Sequence, residues 1–296
     1  MSHNNEILNT NKPVSESSTL DNKFKEWKLI LTDSSDKTRL SSNGIWGSML
    51  ILLLNLFRYQ LFEALYIKSS SIYINPIIKR AFQDNYIVTQ SIGIRRMLIK
   101  SKNEDKQDNS LAKLWNDIRQ QTFDKDNLYQ IYLSYIDSNL NKNPNIQNGL
   151  KLELLKYINS IIDDRNCKLK KYKKVDKIML LDKNKTLKET YDDTNLFIAH
   201  AAQNYKQSNQ SIKDTKEYIS RLEIQTGELY KVYNVLRYFV FFNGSSAISY
   251  IESVINNDLT HNQSLTTDER KITINCWKDF KIKISDWEKE SKDLLT

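Results

Sequence analysis

Apolar residues recur along most of the chain at the spacing of an α-helix, and polar stretches separate the periodic segments. In one segment Leu152, Leu155, Ile158 and Ile162 fall on a single side of a helix. The pattern predicts helices at about residues 21–33, 44–67, 76–100, 110–121, 126–136, 148–170, 186–207, 211–242, 245–256 and 268–294. The predicted fold class is all-α, with nine or ten helices.

Residues that form turns are scarce. The 296 residues include 6 glycines and 3 prolines. β-Sandwiches, β-barrels and glycine-rich phosphate loops need such residues often, so these classes are excluded. Apolar residues make up 40% of the chain, which is enough to form a core.

The chain divides into a tail, a main domain and an extension. Residues 1–20 are rich in Asn, Ser and Thr and lack periodicity, so we expect a disordered tail and no signal peptide. Residues 21–243 form the predicted helical domain, and Asn243-Gly244 can end its last helix in a left-handed conformation. Residues 244–296 are predicted to form a helical extension that packs on this domain.

The most hydrophobic stretch, IWGSMLILLLNLF, begins at Ile45 and ends at Phe57. These 13 residues are fewer than the roughly 20 that a membrane span needs, and Arg58 and Glu63 interrupt the continuation. We therefore predict a buried central helix and no membrane partner. Membrane association through this stretch is the alternative.

Few residues are available for metal or disulfide chemistry. Two cysteines, Cys167 and Cys276, and three histidines exclude a disulfide framework and most zinc sites. The chain also lacks GxxxxGK, GxGxxG, HExxH and CxxC motifs. We expect a cytoplasmic protein without a metal or other cofactor.

The charge balance suits a polyanionic partner such as RNA. The chain has 44 basic and 36 acidic residues, a formal net charge of +8. The densest basic run is KLKKYKK at residues 168–174, where Lys170 and Lys171 are candidate phosphate contacts. A solvated helix end, at which cations favour the helix dipole, is the alternative.

One of the three histidines lies in an apolar helical segment. His200 follows Leu196-Phe197-Ile198-Ala199, whereas His3 and His261 fall in polar stretches. Position alone favours a structural histidine held by a hydrogen bond. A proton-transfer role is the alternative, because the ordinary pKa of histidine lies near neutrality.

The segment Thr194–His200 (TNLFIAH) resembles the RNxxxAH signature of the HEPN superfamily, in its abortive-infection (Abi, U-type) branch. A second segment is similar to the same branch: Asn85–Arg96 (NYIVTQSIGIRR), then a polar loop, then Ser110-Leu111 and LWNDI. The resemblance covers about residues 50–236, or two thirds of the chain.

This resemblance implies a single helical-bundle domain of HEPN type with additional C-terminal helices. Active family members are metal-independent ribonucleases of phage-defence or toxin–antitoxin systems. His200 would transfer a proton at the 2′-hydroxyl or the leaving oxygen, with Asn195 as a polar helper, and the signature arginine would bind the scissile phosphate. A homodimer, RNA, and an antitoxin or other defence protein are the implied partners.

The chain departs from the signature at the arginine, where Thr194 stands. Thr194 can hydrogen-bond a phosphate but carries no charge. A substitute cation could come from Arg95, Arg96, Arg165 or Lys206, and we favour Arg95-Arg96 because that pair lies in an otherwise apolar helix. The alternative for the pair is a structural ion pair with a carboxylate of a neighbouring helix.

Two functional hypotheses follow. The first is a metal-independent ribonuclease that uses His200. The second is a catalytically degenerate domain that binds RNA, a nucleotide or a protein without cleaving it.

Overall fold

A computed structural model describes residues 15–32, 44–68, 75–98, 110–139, 144–170, 173–179, 184–203, 215–242, 247–261 and 265–294. It describes the backbone alone at residues 15–19, 68, 135–139, 144–147, 195–203 and 261. The helices are α1 (Ser15–Thr32), α2 (Ile45–Lys68), α3 (Pro76–Leu98), α4 (Leu111–Gln120), α5 (Lys125–Asn139), α6 (Pro144–Ile161), α7 (Lys173–Met179), α8 (Lys185–Gln203), α9 (Thr215–Phe241), α10 (Ile248–His261) and α11 (Thr267–Asp293). Two strands, β1 (Ile162–Asp163) and β2 (Lys168–Leu169), pair antiparallel.

The predicted all-α class is confirmed: the described residues form eleven helices and one hairpin of two short strands, each two residues long. Most predicted helices match an observed helix within a few residues at either end. Pro76 and Pro144 each occupy the first position of a helix, where the missing N–H needs no partner. Ser110 caps α4, because its side chain accepts a hydrogen bond from the Lys113 N–H at 3.1 Å.

Helix α2 lies at the centre of the fold, and most residues between Ile45 and Phe57 are buried, whereas Ile51 and Arg58 are exposed. It contacts α1, α3, α9 and α11. Gly93 lets α3 approach closely, since a Cβ there would meet the Leu52 side chain at 2.6 Å. By length and composition the stretch Ile45–Ile67 could also cross a membrane, and 44% of its most apolar window is buried inside the protein.

The hydrophobic core is continuous from α1 to α11. Phe24 and Trp27 of α1 pack with Phe239 of α9, with ring centroids 5.7 and 6.2 Å apart. The C-terminal helix α11 contacts α2 and α9, and its Phe280 and Ile284 are fully buried. The residues beyond 244 thus share the core of the preceding helices.

The first helix starts earlier than the predicted residue 21, within the segment that was expected to be a tail. Helix α1 begins at Ser15, because Leu20 and Phe24, one turn apart, both bury their side chains against the core. Residues 1–14 lie outside the described residues.

The predicted helix over residues 148–170 also differs from the structure. Helix α6 ends at Ile161, and the chain turns through Asp163–Cys167 into the short hairpin. Cys167 adopts a left-handed φ of 53° there. The following helix, α7, was not predicted, although Val175, Ile178 and Met179 carry its buried side at helical spacing.

Candidate functional site

Helix α8 carries the segment that resembles the HEPN signature. It begins after Asn184, whose side chain accepts from the Leu187 N–H at 3.1 Å. Leu187, Thr190 and Thr194 are fully buried, and their spacing of three and four residues defines the packed side of the helix. Asn195 and His200 lie in the helical backbone of α8, and their side chains are outside the described part of the chain.

Thr194 occupies the position of the signature arginine, and it points into the packed interior. Its side chain is fully buried, and its hydroxyl donates to the carbonyl oxygen of Thr190 at 2.6 Å. The hydroxyl therefore has no remaining proton to donate to a phosphate. An arginine at this position would have to bury its guanidinium against α3, which is the main neighbour of α8.

Arg95 of α3 lies directly against α8. Its guanidinium carbon is 5.3 Å from the centre of the Tyr191 ring. Its buried Nε has no hydrogen-bond partner, and no carboxylate among the described residues forms an ion pair with it. Arg95 therefore forms a cation–π contact instead of the ion pair with a neighbouring carboxylate that the sequence analysis gave as the alternative. Arg96, the next residue, is exposed on the outer side of α3.

Arg221 of α9 is a second arginine at α8, and sequence reasoning missed it. Its Nη1 donates to Glu189 at 2.9 Å and its Nη2 to Asp193 at 3.1 Å. Its guanidinium carbon also lies 4.4 Å from the centre of the Tyr218 ring. The available signal was a pair of carboxylates one helical turn apart, which can bind one guanidinium from a neighbouring helix.

The two arginines lie on different flanks of α8. We call the side of Glu189 and Asp193 the Arg221 flank and the side of Tyr191 the Arg95 flank. Position 200 follows Asp193 by seven residues, close to two helical turns, so the register places it on the Arg221 flank. It follows Tyr191 by nine residues, or two and a half turns, which is the opposite side of the helix.

Polar side chains also join α9 to α3. Tyr218 shares a hydrogen bond with Ser91 at 3.3 Å, and Gln90 donates to Thr226 at 2.8 Å. Burial raises the pKa of the Tyr218 hydroxyl, and the hydrogen bond with Ser91 opposes that rise. Tyr218 therefore remains neutral near pH 7 and serves as a structural contact under Arg221.

The remaining candidate cations lie elsewhere. Lys170 is exposed after the hairpin, and its ammonium donates to the carbonyl of Asn159 at 2.8 Å. Arg165 is exposed in the hairpin turn. Lys171 and Lys206 lie outside the described residues. The described contacts of α8 thus involve only Arg95 and Arg221 among the arginines that the structure describes.

A cleft of about 560 Å³ lies between the start of α1, the α4–α5 connection and the hairpin. Charged residues of both signs line it, including Lys23, Lys125, Asp124 and Asp163, and the predicted site residues do not. Within the described ranges, no group of three or more His, Cys, Asp or Glu side chains could hold a metal ion.

Comparisons with models of protein families, with curated proteins and with solved structures gave no match for this chain.

Proposed function

We propose that this chain is a HEPN-like protein of phage-defence type that binds RNA without cleaving it by the family mechanism. The observation that carries this proposal is the environment of position 194. There a fully buried threonine, hydrogen-bonded to Thr190, replaces the arginine that would bind the scissile phosphate.

The charges around α8 support the same conclusion. Cleavage by the family mechanism has the 2′-oxygen attack phosphorus while the bond to the 5′-oxygen breaks, and a cation stabilises the charge on the phosphate. On the Arg221 flank, which includes position 200, two carboxylates already pair with the arginine. A phosphate would meet these carboxylates as well as the cation, so its net attraction to this flank is weak.

A second candidate, the metal-independent ribonuclease, is favoured by one specific observation. Arg95 carries a positive charge beside α8 that no described carboxylate neutralises. Because it lies on the opposite flank from position 200, it would have to serve the His200 of another copy in the homodimer that the resemblance implies. Mixing inactive His200→Ala and Arg95→Gln proteins would then restore cleavage through mixed dimers.

The test of the proposal measures binding and cleavage of the same RNA in EDTA. Wild-type protein and His200→Ala are titrated into fluorescein-labelled total tRNA, and the RNA is then run on a denaturing gel. We expect both proteins to bind with the same affinity and to leave the RNA intact. His261→Ala serves as the matched control for loss of a histidine.

Metal-free cleavage by the wild type that His200→Ala abolishes and His261→Ala retains would overturn the proposal and establish the second candidate. Absence of RNA binding by the wild type would also overturn it.

A further inference from the structure

The segment 162–179 carries half of the net charge of the chain. Its seven basic and three acidic residues give +4, against +8 for all 296 residues. The described basic side chains of this segment are all exposed, and we call them the basic surface: Arg165, Lys168, Lys170, Lys173, Lys174 and Lys177. Clustered cations of this kind create a positive potential that attracts polyanions.

Cations from other helices pair with two of the three acidic residues of this segment. Asp164 pairs with Lys125 of α5, and Asp176 accepts from Arg119 of α4 at 2.8 Å. Asp163 accepts from two donors within the hairpin turn. These carboxylates are therefore engaged and do not pair with the lysines beside them.

The cations of the basic surface have few competing partners. Arg165, Lys168, Lys173 and Lys177 form no ion pair with any carboxylate that the structure describes. Lys170 and Lys174 each donate to a backbone carbonyl. The charge of Lys170 also helps Lys125 to lower the pKa of the nearby Asp164 carboxyl. The surface thus has six exposed cations, four of which form no ion pair with a described carboxylate.

Packing against α4 holds the backbone of the basic surface in place. Helix α4 contacts both β2 and α7, and the Trp115 indole donates to Asp176 of α7 at 3.0 Å. Val175 of α7 is fully buried. Lys173 and Lys177 are one helical turn apart, so they share one side of α7. The backbone that carries the cations is therefore fixed before binding, and only the basic side chains have to be ordered.

We propose that the basic surface binds the sugar–phosphate backbone of RNA. This inference deepens the proposed function, on which it rests for the choice of RNA as the polyanion. An anionic membrane is the less suitable partner, because no large apolar side chain of the described residues 162–170 and 173–179 is exposed for insertion into a bilayer. Contact through phosphates alone gives affinity that depends on salt and little on sequence.

The test compares two triple variants of the full chain that remove the same charge. Lys168→Gln/Lys173→Gln/Lys177→Gln changes the basic surface. Lys271→Gln/Lys278→Gln/Lys289→Gln changes three exposed lysines of α11. The probe is a fluorescein-labelled single-stranded RNA with 2′-O-methyl groups, which lacks the 2′-hydroxyl and resists the family mechanism.

We expect the basic-surface variant to bind the RNA at least about tenfold more weakly than the wild type near 0.1 M salt. A plot of the logarithm of the association constant against the logarithm of the salt concentration should also be less steep, by about 2. The α11 variant should stay within about twofold of the wild type. An equal loss of RNA affinity in the two variants would overturn the inference. So would unchanged RNA affinity in the basic-surface variant. Binding of the wild type to phosphatidylserine vesicles but not to RNA would also overturn it.

These outcomes separate the two proposals. If the wild type binds the probe and both variants bind it equally well, only the basic-surface inference fails. If the wild type cleaves unmodified RNA with His200, the proposed function fails, while the difference between the two variants can still be measured on the probe.

Discussion

The two flanks of α8 use arginine in different ways. On the Arg221 flank, one guanidinium bridges Glu189 and Asp193 and lies over the Tyr218 ring. On the Arg95 flank, the guanidinium contacts the Tyr191 ring and forms no ion pair with a described carboxylate. The first arginine joins two helices as part of the structure, whereas the second retains a charge that a ligand could use.

This difference shows why a motif match alone does not establish an active site. The flank that includes position 200 holds an arginine that two carboxylates already neutralise. The arginine with an uncompensated charge lies on the other flank. An arginine close to α8 is therefore not enough to indicate a catalytic site, since catalysis requires an available cation on the same side of the helix as the histidine.

The largest effect is expected from Thr194→Arg, which introduces the arginine of the signature that the segment resembles. A guanidinium at this fully buried position would lack a carboxylate and displace packed side chains. The free energy of unfolding should fall by about 4 kcal/mol or more, measured by urea denaturation. Thr194→Val is the matched control and should cost about 1 kcal/mol for the lost hydrogen bond. A stable Thr194→Arg protein that cleaves RNA would show that position 194 faces a cleft.

A smaller effect is expected from Arg221→Met, which keeps the length of the side chain but removes its charge. Glu189 and Asp193 would lose their shared partner, and because these side chains are partly exposed the loss should be about 1 to 2 kcal/mol in urea unfolding. In a Glu189→Gln/Asp193→Asn background the same substitution should have a clearly smaller effect. An undiminished loss there would mean that Arg221 acts through packing instead of charge.

Tyr218→Phe should have a modest effect on stability, and that effect should shrink as pH rises above about 10. Because the folded-state pKa of Tyr218 is raised above its unfolded value, its contribution to stability is fully present below about pH 10 and is lost as pH rises further. Unfolding measured between about pH 9 and 11 should therefore show a shallower loss of stability in Tyr218→Phe than in the wild type. Identical slopes would contradict a raised pKa at this tyrosine.

The smallest effect on stability is expected from Arg95→Met. Methionine can replace the apolar stem against Tyr191, and no described ion pair is lost. The free energy of unfolding should change by less than about 1 kcal/mol, the range of an exposed cation–π contact. A loss as large as that of Arg221→Met would remove the distinction between the two flanks.

The helices were largely predictable because their apolar residues recur at helical spacing, as in the buried side of α11. The early end of α6 was missed because the apolar stripe continues through Ile162, which packs in the core from the hairpin instead of from a helix. Helix α7 was not predicted because lysines dominate its sequence, although Val175, Ile178 and Met179 have the spacing of the buried side of a helix.

The candidate site was less predictable than the fold. The sequence identified Arg95 as a candidate, but its contact with Tyr191 depends on which helices are neighbours, which periodicity does not specify. Thr194 illustrates a second difficulty. Its spacing from Leu187 and Thr190 marks the buried side of α8, yet its hydroxyl suggested a polar role. The roles assigned to His200 and Asn195 stay predictions.

The proposal that the protein binds RNA without cleaving it is tested most directly by a single-turnover cleavage assay in EDTA. The wild type is in excess over unmodified RNA, at a concentration that saturates binding. We expect full binding, no cleavage above the rate without protein, and no change on His200→Ala. Cleavage by the wild type that is lost in His200→Ala would contradict it, because it would show that the site functions without an arginine at position 194.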